Sequence, residues 1–216
     1  MTSKPNPLQP IYDECNAGNS VEKFASLPDF PRLIDVELTN TCNFRCLMCP
    51  TGNFSQVRSK GFMDEAVFYR ILEQAAEHGT PLRFIRWGEP TSHPQFLEFL
   101  KATKEAGLLT HVNTNASYLD EEMMDALVEL PLDCLKFSFQ GVDRDSYMEM
   151  RNTDFFEELI EKITLFHKKR GDNPYPFILV STTTTYETPE MIESFRQRVA
   201  PVCDDFNMGK TNRYHS

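Results

Sequence analysis

The sequence lacks several things, and each gap narrows the reading. It has no apolar stretch near the roughly 20 residues of a membrane span. Its opening stretch, "MTSKPNPLQPIYDECNAGNS", is polar, rich in Pro and Asn, and without the apolar core of a secretory leader. Basic charge is scarce, with 22 Lys and Arg against 32 Asp and Glu and a net charge of −10. That balance argues against a nucleic-acid partner, which needs a basic surface. The one basic cluster, "HKKR" at 167–170, suits a helix C-terminus, where cations face the partial negative end of the dipole. Repeats and low-complexity tracts are missing too, which excludes solenoids and linker-like disorder. The expectation is a cytoplasmic protein with no membrane partner and reduced thiols.

What is present is an ordinary globular composition, 40% hydrophobic and 25% charged, in 216 residues, enough for a sizeable core. Six strand-like apolar segments occur: "LIDVELT" (33–39), "LRFIRW" (82–87), "LTHVNT" (109–114), "CLKFSF" (134–139), "FILVSTTT" (177–184) and "DFNMG" (205–209). Helical patterns fill most gaps. Asp64, Asp120 and Thr188 are placed as N-caps, and Gly79, Gly107 and Gly171 as helix ends. Ser92 precedes "HPQFLEFLKATKEAG", with Pro94 in its first turn. Strand–helix alternation predicts an α/β fold with a parallel sheet. Six units fall short of the eight of a closed barrel, leaving an open doubly wound sheet or a partial barrel. In either, ligands gather at the C-terminal ends of the strands.

Three of the six cysteines, Cys42, Cys46 and Cys49, follow the first strand within "TNTCNFRCLMCPTG". Three thiolates can hold an iron–sulfur cluster and leave one iron open, as three protein ligands leave a catalytic zinc open. Zinc with a remote fourth ligand, such as Cys15 or a histidine, is a second reading. A dithiol redox pair at Cys46 and Cys49 is a third, and it leaves Cys42 unexplained. Cys134 and Cys203 read as small buried hydrophobes.

"CNFRCLMC" resembles the C-x-x-x-C-x-x-C signature of the radical S-adenosylmethionine (radical SAM) superfamily. The resemblance continues at successive strand ends. "RWGEP" (86–90) is similar to the Gly-Gly-Glu-Pro motif, with Trp87 in place of the first glycine. "NTNAS" (113–117) is similar to the Thr-Asn-Gly segment, with Ala116 in place of the glycine. "FSFQG" (137–141) followed by "DRDSYMEMR" (143–151) is similar to the Ser-x-Asp-Gly and Tyr-x-x-x-Arg stretches of peptide-modifying, SPASM-type relatives, with Gln140 in place of the aspartate. Met48 stands where many members carry an aromatic residue.

The resemblance implies a partial (β/α)6 TIM-like barrel over 32–210, after a lead-in at 1–31 that is flexible or draped and before a tail at 211–216. It implies a [4Fe-4S] cluster on Cys42, Cys46 and Cys49, with S-adenosyl-L-methionine on the open iron. Gly88 and Glu89 would receive the methionine ammonium. Thr114 and Asn115 would meet the ribose or methionine end, or serve only as turn residues. Ser138 and Gln140 would touch ribose or carboxylate. Arg151 would pair with the methionine carboxylate, or be a solvated arginine at a helix start. Met48 belongs to the same cofactor pocket. On the fifth strand Val180, Ser181 and Thr182 would line the adenine, with core packing the better reading of Val180, as would Asn207 to Gly209 on the sixth. Trp87 and His93 would face substrate, against packing and helix-capping roles. The implied partners are a peptide or carbohydrate-like substrate and a reductant such as flavodoxin or ferredoxin. No second cysteine cluster follows the sixth strand. The site would then be covered by its substrate, completed by a partner or second copy, or belong to a shortened chain, with the last two favoured.

Overall fold

The computed structural model describes residues 5–18, 27–53 and 58–210. Six parallel strands form one sheet in sequential order: β1 (Ile34–Val36), β2 (Leu82–Phe84), β3 (Thr110–Thr114), β4 (Cys134–Ser138), β5 (Phe177–Thr184) and β6 (Asp205–Lys210). β1 and β6 do not pair with each other, so the barrel is open on that side. The fold is the partial barrel, not the doubly wound sheet, whose strand order reverses at a switch point.

Helices occupy the crossovers: α2 (Glu65–His78), α3 (Phe96–Glu105), α4 (Glu121–Glu129), α5 (Arg144–Arg151), α6 (Phe156–Arg170) and α7 (Pro189–Val199). Their ends follow local chemistry. Asp64, Asp120 and Thr188 accept from Ala66, Met123 and Met191 backbone N–H groups, and Gly79 closes α2 in the left-handed region (φ 64°). α5 opens with a capping box between Asp143 and Ser146. The helix expected from Ser92 begins differently. A 3-10 turn at Pro90–Ser92 comes first, and α3 starts at Phe96 after the His93 ring accepts from Gln95 N–H.

The strand register sorts side chains to two faces. Val36, Phe84, Val112, Phe137 and Val180 turn outward to the helices and are buried. There the phenylalanines concentrate, with Phe68 stacked on Phe99 at 3.9 Å and Phe137 edge-on to Phe166 at 5.8 Å. The opposite face lines the barrel interior, and much of it is polar. Asp35, Arg83 and His111 pair across β1–β3, and Asn113, Lys136 and Leu179 form one rung across β3–β5.

Within the lead-in, expected to be flexible or draped, the described residues 5–18 are ordered on the sheet. Gln9–Asn16 form a helix, α1, with Pro10 in its first turn. Just before it, Leu8 is fully buried against Cys134, Phe177 and Leu179 at the N-terminal mouth of the strands. Burying that leucine and ordering a helix offset the entropy of fixing the segment. Tyr12 Oη donates to His111 Nδ1 at 2.9 Å, tying α1 to the interior polar groups. The tail at 211–216 lies outside the described residues. Among the described residues no helix is long and apolar enough to cross a membrane.

Candidate cofactor site at the strand ends

The cysteine loop leaves β1 at the C-terminal mouth and is held at several points. Thr39 bridges to Phe62, and its Oγ1 donates to the Gly61 carbonyl at 2.8 Å. Cys49 N–H donates to the Cys46 carbonyl at 3.1 Å, and Gly52 N–H to the Cys49 carbonyl at 2.9 Å. Gly52 must be glycine here, because a Cβ would lie 2.3 Å from the Cys46 carbonyl oxygen. Leu47 N–H donates to the Met150 carbonyl at 2.9 Å, fastening the loop to α5. Phe44 anchors it by packing edge-on to Phe155.

The β2 end lies directly on this loop. Glu89 N–H donates to the Thr41 carbonyl at 2.8 Å, and a Cβ on Gly88 would sit 2.0 Å from the Thr39 carbonyl oxygen. The "RWGEP" motif therefore sets the distance between two loops. Arg86 holds a positive φ of 112°, rare for a side-chain-bearing residue, and its guanidinium bonds Asp35 at 2.6 Å.

Glu89 is buried and joins the ends of β2 and β3. Its Oε1 accepts from Thr91 N–H, Thr91 Oγ1 (2.6 Å) and Thr114 Oγ1 (2.8 Å), and its Oε2 accepts from Asn115 N–H (2.7 Å). Burial pushes its pKa up, while those donors oppose the shift. Oε2 carries one donor, so it keeps acceptor capacity, and Glu89 is among the residues lining the recess. Thr114 Oγ1 also accepts from Ala116 N–H, which closes a turn in which Ala116 adopts φ 65°. That conformation is why a glycine suits the position.

Cys42, Cys46 and Cys49 line one recess of about 140 Å³. Met48, Trp87, Gly88, Glu89, Thr114, Asn115, Ser138 and Arg151 line it with them. Burial pushes the Cys42 thiol up to about 11, and its sulfur accepts from Phe44 N–H (3.4 Å) and Asn115 Nδ2 (3.6 Å). Arg151 ends α5 and is half-buried with its Nε fully enclosed, not solvated at a helix start. It donates to the Ser138 carbonyl at 2.6 Å and to Cys46 Sγ at 3.5 Å, and its Nε is buried without a partner. A half-buried guanidinium whose Nε is enclosed beside thiols favours negative charge nearby. Thiolates holding an iron–sulfur cluster supply it, so this donor set fits such a group. Among the described residues, no three His, Cys, Asp or Glu are arranged to hold a single metal ion.

Other expected residues lie elsewhere. His93 is buried, with its ring bonded to the Met63 carbonyl (3.1 Å) and Gln95 N–H (3.0 Å), so it fixes the turn before α3 and is not among the residues lining the recess. Gln140 is bonded to Thr183 on β5. Ser181 pairs with Ser138 in register but does not line the recess. Ile85, Arg86 and Asn113 line it without having been singled out. Arg86 and Asn113 border recognised motifs, which is the signal that could have found them.

Residues 36–199 match the family profile described as the Radical SAM superfamily. The chain is 36% identical over 106 residues to the tungsten-containing aldehyde ferredoxin oxidoreductase cofactor-modifying protein of Pyrococcus furiosus, covering 48% of this chain and 29% of that one. It is 32% identical over 117 residues to the PqqA peptide cyclase of Gluconobacter oxydans, covering 54% and 32%. Among solved structures it resembles Streptococcus suis SuiB bound to S-adenosylmethionine, with TM-score 0.73, 19% identity and coverage of 87% and 42%. SuiB bound to its precursor peptide SuiA gives TM-score 0.71 at 20% identity, covering 85% and 40%. This chain belongs to the radical SAM superfamily, an enzyme superfamily. It spans about a third of the length of those two curated relatives.

Proposed function

We propose that the chain carries the core of a radical SAM enzyme acting on a peptide. The carrying observation is that the three cysteines and three separate strand-end motifs converge on one recess. Cys42, Cys46 and Cys49 would hold a [4Fe-4S] cluster through their thiolates. When bound and reduced, that cluster supplies the electron that splits S-adenosyl-L-methionine into methionine and a 5′-deoxyadenosyl radical, which takes a hydrogen atom from substrate.

The chain's own residues bind, orient and shield. Gly88, with no room for a side chain, presents its backbone carbonyl, and Glu89 Oε2 its remaining acceptor site, to the methionine ammonium. Arg151 holds Cys46 and keeps a donor for the methionine carboxylate. Thr114 and Asn115 position Glu89, and the Asn115 amide supports Cys42. Met48 and Ser138 complete the wall, and half-exposed Trp87 would meet substrate. Gln140 and Ser181 hold the β4–β5 side from behind. A peptide substrate is supported by the names of the peptide cyclase and of peptide-bound SuiB. The reductant would be a flavodoxin- or ferredoxin-type carrier.

The test is anaerobic turnover with a strong reductant. Wild-type protein should release 5′-deoxyadenosine and methionine in equal amounts. Cys46→Ala should release neither; release by that variant would end the proposal.

A further inference from the structure

Asn113 lines the recess, and a chain of hydrogen bonds reaching back to α1 sets which end of its carboxamide is free. His111 and Asn113 are two residues apart on β3 and share its inward face. His111 is almost fully buried, and its Nε2 lies 2.5 Å from Asn113 Oδ1. Tyr12 of α1 brings its hydroxyl 2.9 Å from the other ring nitrogen, Nδ1.

The chain has a direction. Asn113 Oδ1 can only accept, so the His111 proton sits on Nε2. Burial lowers the His111 pKa to about 3, so the ring is neutral and Nδ1 is bare. Nδ1 then accepts from the Tyr12 hydroxyl, and burial, which pushes that phenol up to about 12, keeps its proton in place. Arg83 lies 5.7 Å from the Tyr12 ring centroid and is held by Asp35 at 2.6 Å and 3.1 Å. A guanidinium has donors only, so it cannot draw the phenol proton away from His111. With Oδ1 spent on a ring outside the recess, Nδ2 is the end of the Asn113 carboxamide left for a ligand. Among the described residues nothing accepts from it. A carboxamide free to flip offers a ligand either a donor or an acceptor, whereas this one is fixed as a donor beforehand, which lowers the ordering cost of binding.

We propose, resting on the radical SAM reading, that Asn113 donates from Nδ2 to an acceptor atom of S-adenosylmethionine, and that Tyr12 and His111 are positioning residues that hold it in that orientation. The ligand is the cofactor and not the peptide because Asn113 shares its recess with the three cysteines and with Gly88, Glu89 and Arg151. The lead-in helix is thereby part of the cofactor site, although Tyr12 itself does not line the recess.

Two measurements test this, neither of them turnover. Long-range nitrogen–proton NMR spectra of the full chain without its cluster, with His111 assigned by its loss in His111→Gln, should show the ring protonated on Nε2 and bare at Nδ1. A ring protonated on Nδ1 would run the chain the other way, turn Asn113 Oδ1 outward and overturn the inference. Equilibrium dialysis of S-adenosylmethionine against the reconstituted protein tests the donor. Asn113→Leu, close in shape but without the donor, should bind about three- to tenfold more weakly, the scale of one neutral hydrogen bond, with iron and sulfide content unchanged. Tyr12→Phe should show both ring tautomers and bind about two- to threefold more weakly, the low end of that scale. An unchanged ring spectrum and unchanged affinity in Tyr12→Phe would remove α1 from the site. If Asn113→Leu fails to fold, the wild-type ring spectrum and the Tyr12→Phe comparison still decide. Wild-type protein that binds no S-adenosylmethionine ends the functional reading and this inference together, whereas binding untouched by Asn113→Leu overturns this inference alone.

Discussion

Glu89 offers the sharpest test of how the site is built. Its carboxylate receives four hydrogen bonds, three at Oε1 and one at Oε2, all buried or nearly so. Glu89→Ala would leave the Thr91 and Thr114 hydroxyls and the Asn115 N–H without their acceptor. Each unsatisfied buried group costs about 1–3 kcal/mol, and neighbours sharing one network do not add fully. A loss of about 3–5 kcal/mol is expected, or a fall of roughly 6–20 °C in Tm for a chain of this size. Glu89→Gln separates structure from binding. Its oxygen can keep the three Oε1 donors, but its NH2 then opposes the Asn115 N–H, for a loss of about 1–3 kcal/mol. It also removes the acceptor offered to the methionine ammonium. Thermal unfolding should rank wild type above Gln above Ala. Equilibrium dialysis against S-adenosylmethionine should show at least about tenfold weaker binding to the reconstituted Gln variant. Unchanged unfolding of Glu89→Ala would refute the claim that this carboxylate joins β2 to β3.

Further outcomes follow from particular contacts. Gly88→Ala should push the β2 end off the cysteine loop, because its Cβ would lie 2.0 Å from the Thr39 carbonyl, and iron retained after reconstitution should fall. Ala116→Gly should change stability by less than about 1 kcal/mol, since relief at φ 65° offsets a lost methyl and a looser unfolded chain. Ala75→Gly inside α2 has no such relief and should cost about 1–2 kcal/mol by urea unfolding. His111 has a folded pKa of about 3 against 6.5, so its contribution is present above pH 6.5 and is lost as pH falls towards 3, at up to about 1.4 kcal/mol per pH unit. His111→Gln should flatten the stability–pH curve over that window, and an unchanged slope would contradict the buried neutral ring.

The helix boundaries were legible because caps are local. Asp64, Asp120 and Thr188 bond the N–H groups their positions predict. The site was legible as an order of motifs, one per strand end, which the parallel topology then gathers. The barrel interior was not. "LIDVELT", "LRFIRW" and "CLKFSF" read as apolar runs, yet their inward positions are Asp35, Arg83 and Lys136, sorted from their neighbours only by register. α1 was missed because its stability comes from Leu8 docking on the strand starts, not from its weak local pattern. For His93 the sequence leaves a substrate-facing and a structural role side by side, because a histidine beside a motif gives no sign of which nearby backbone group it will bond. Ala116 shows the converse: its departure from glycine is visible in sequence, but only the φ of 65° explains what the departure strains.

The central claim is that three thiolates hold a cluster with one position left for a ligand. Iron and acid-labile sulfide assayed after anaerobic reconstitution test it most directly. The account predicts a brown protein with about four of each per chain, falling to background in Cys46→Ala. A colourless protein with one zinc and no sulfide would contradict it.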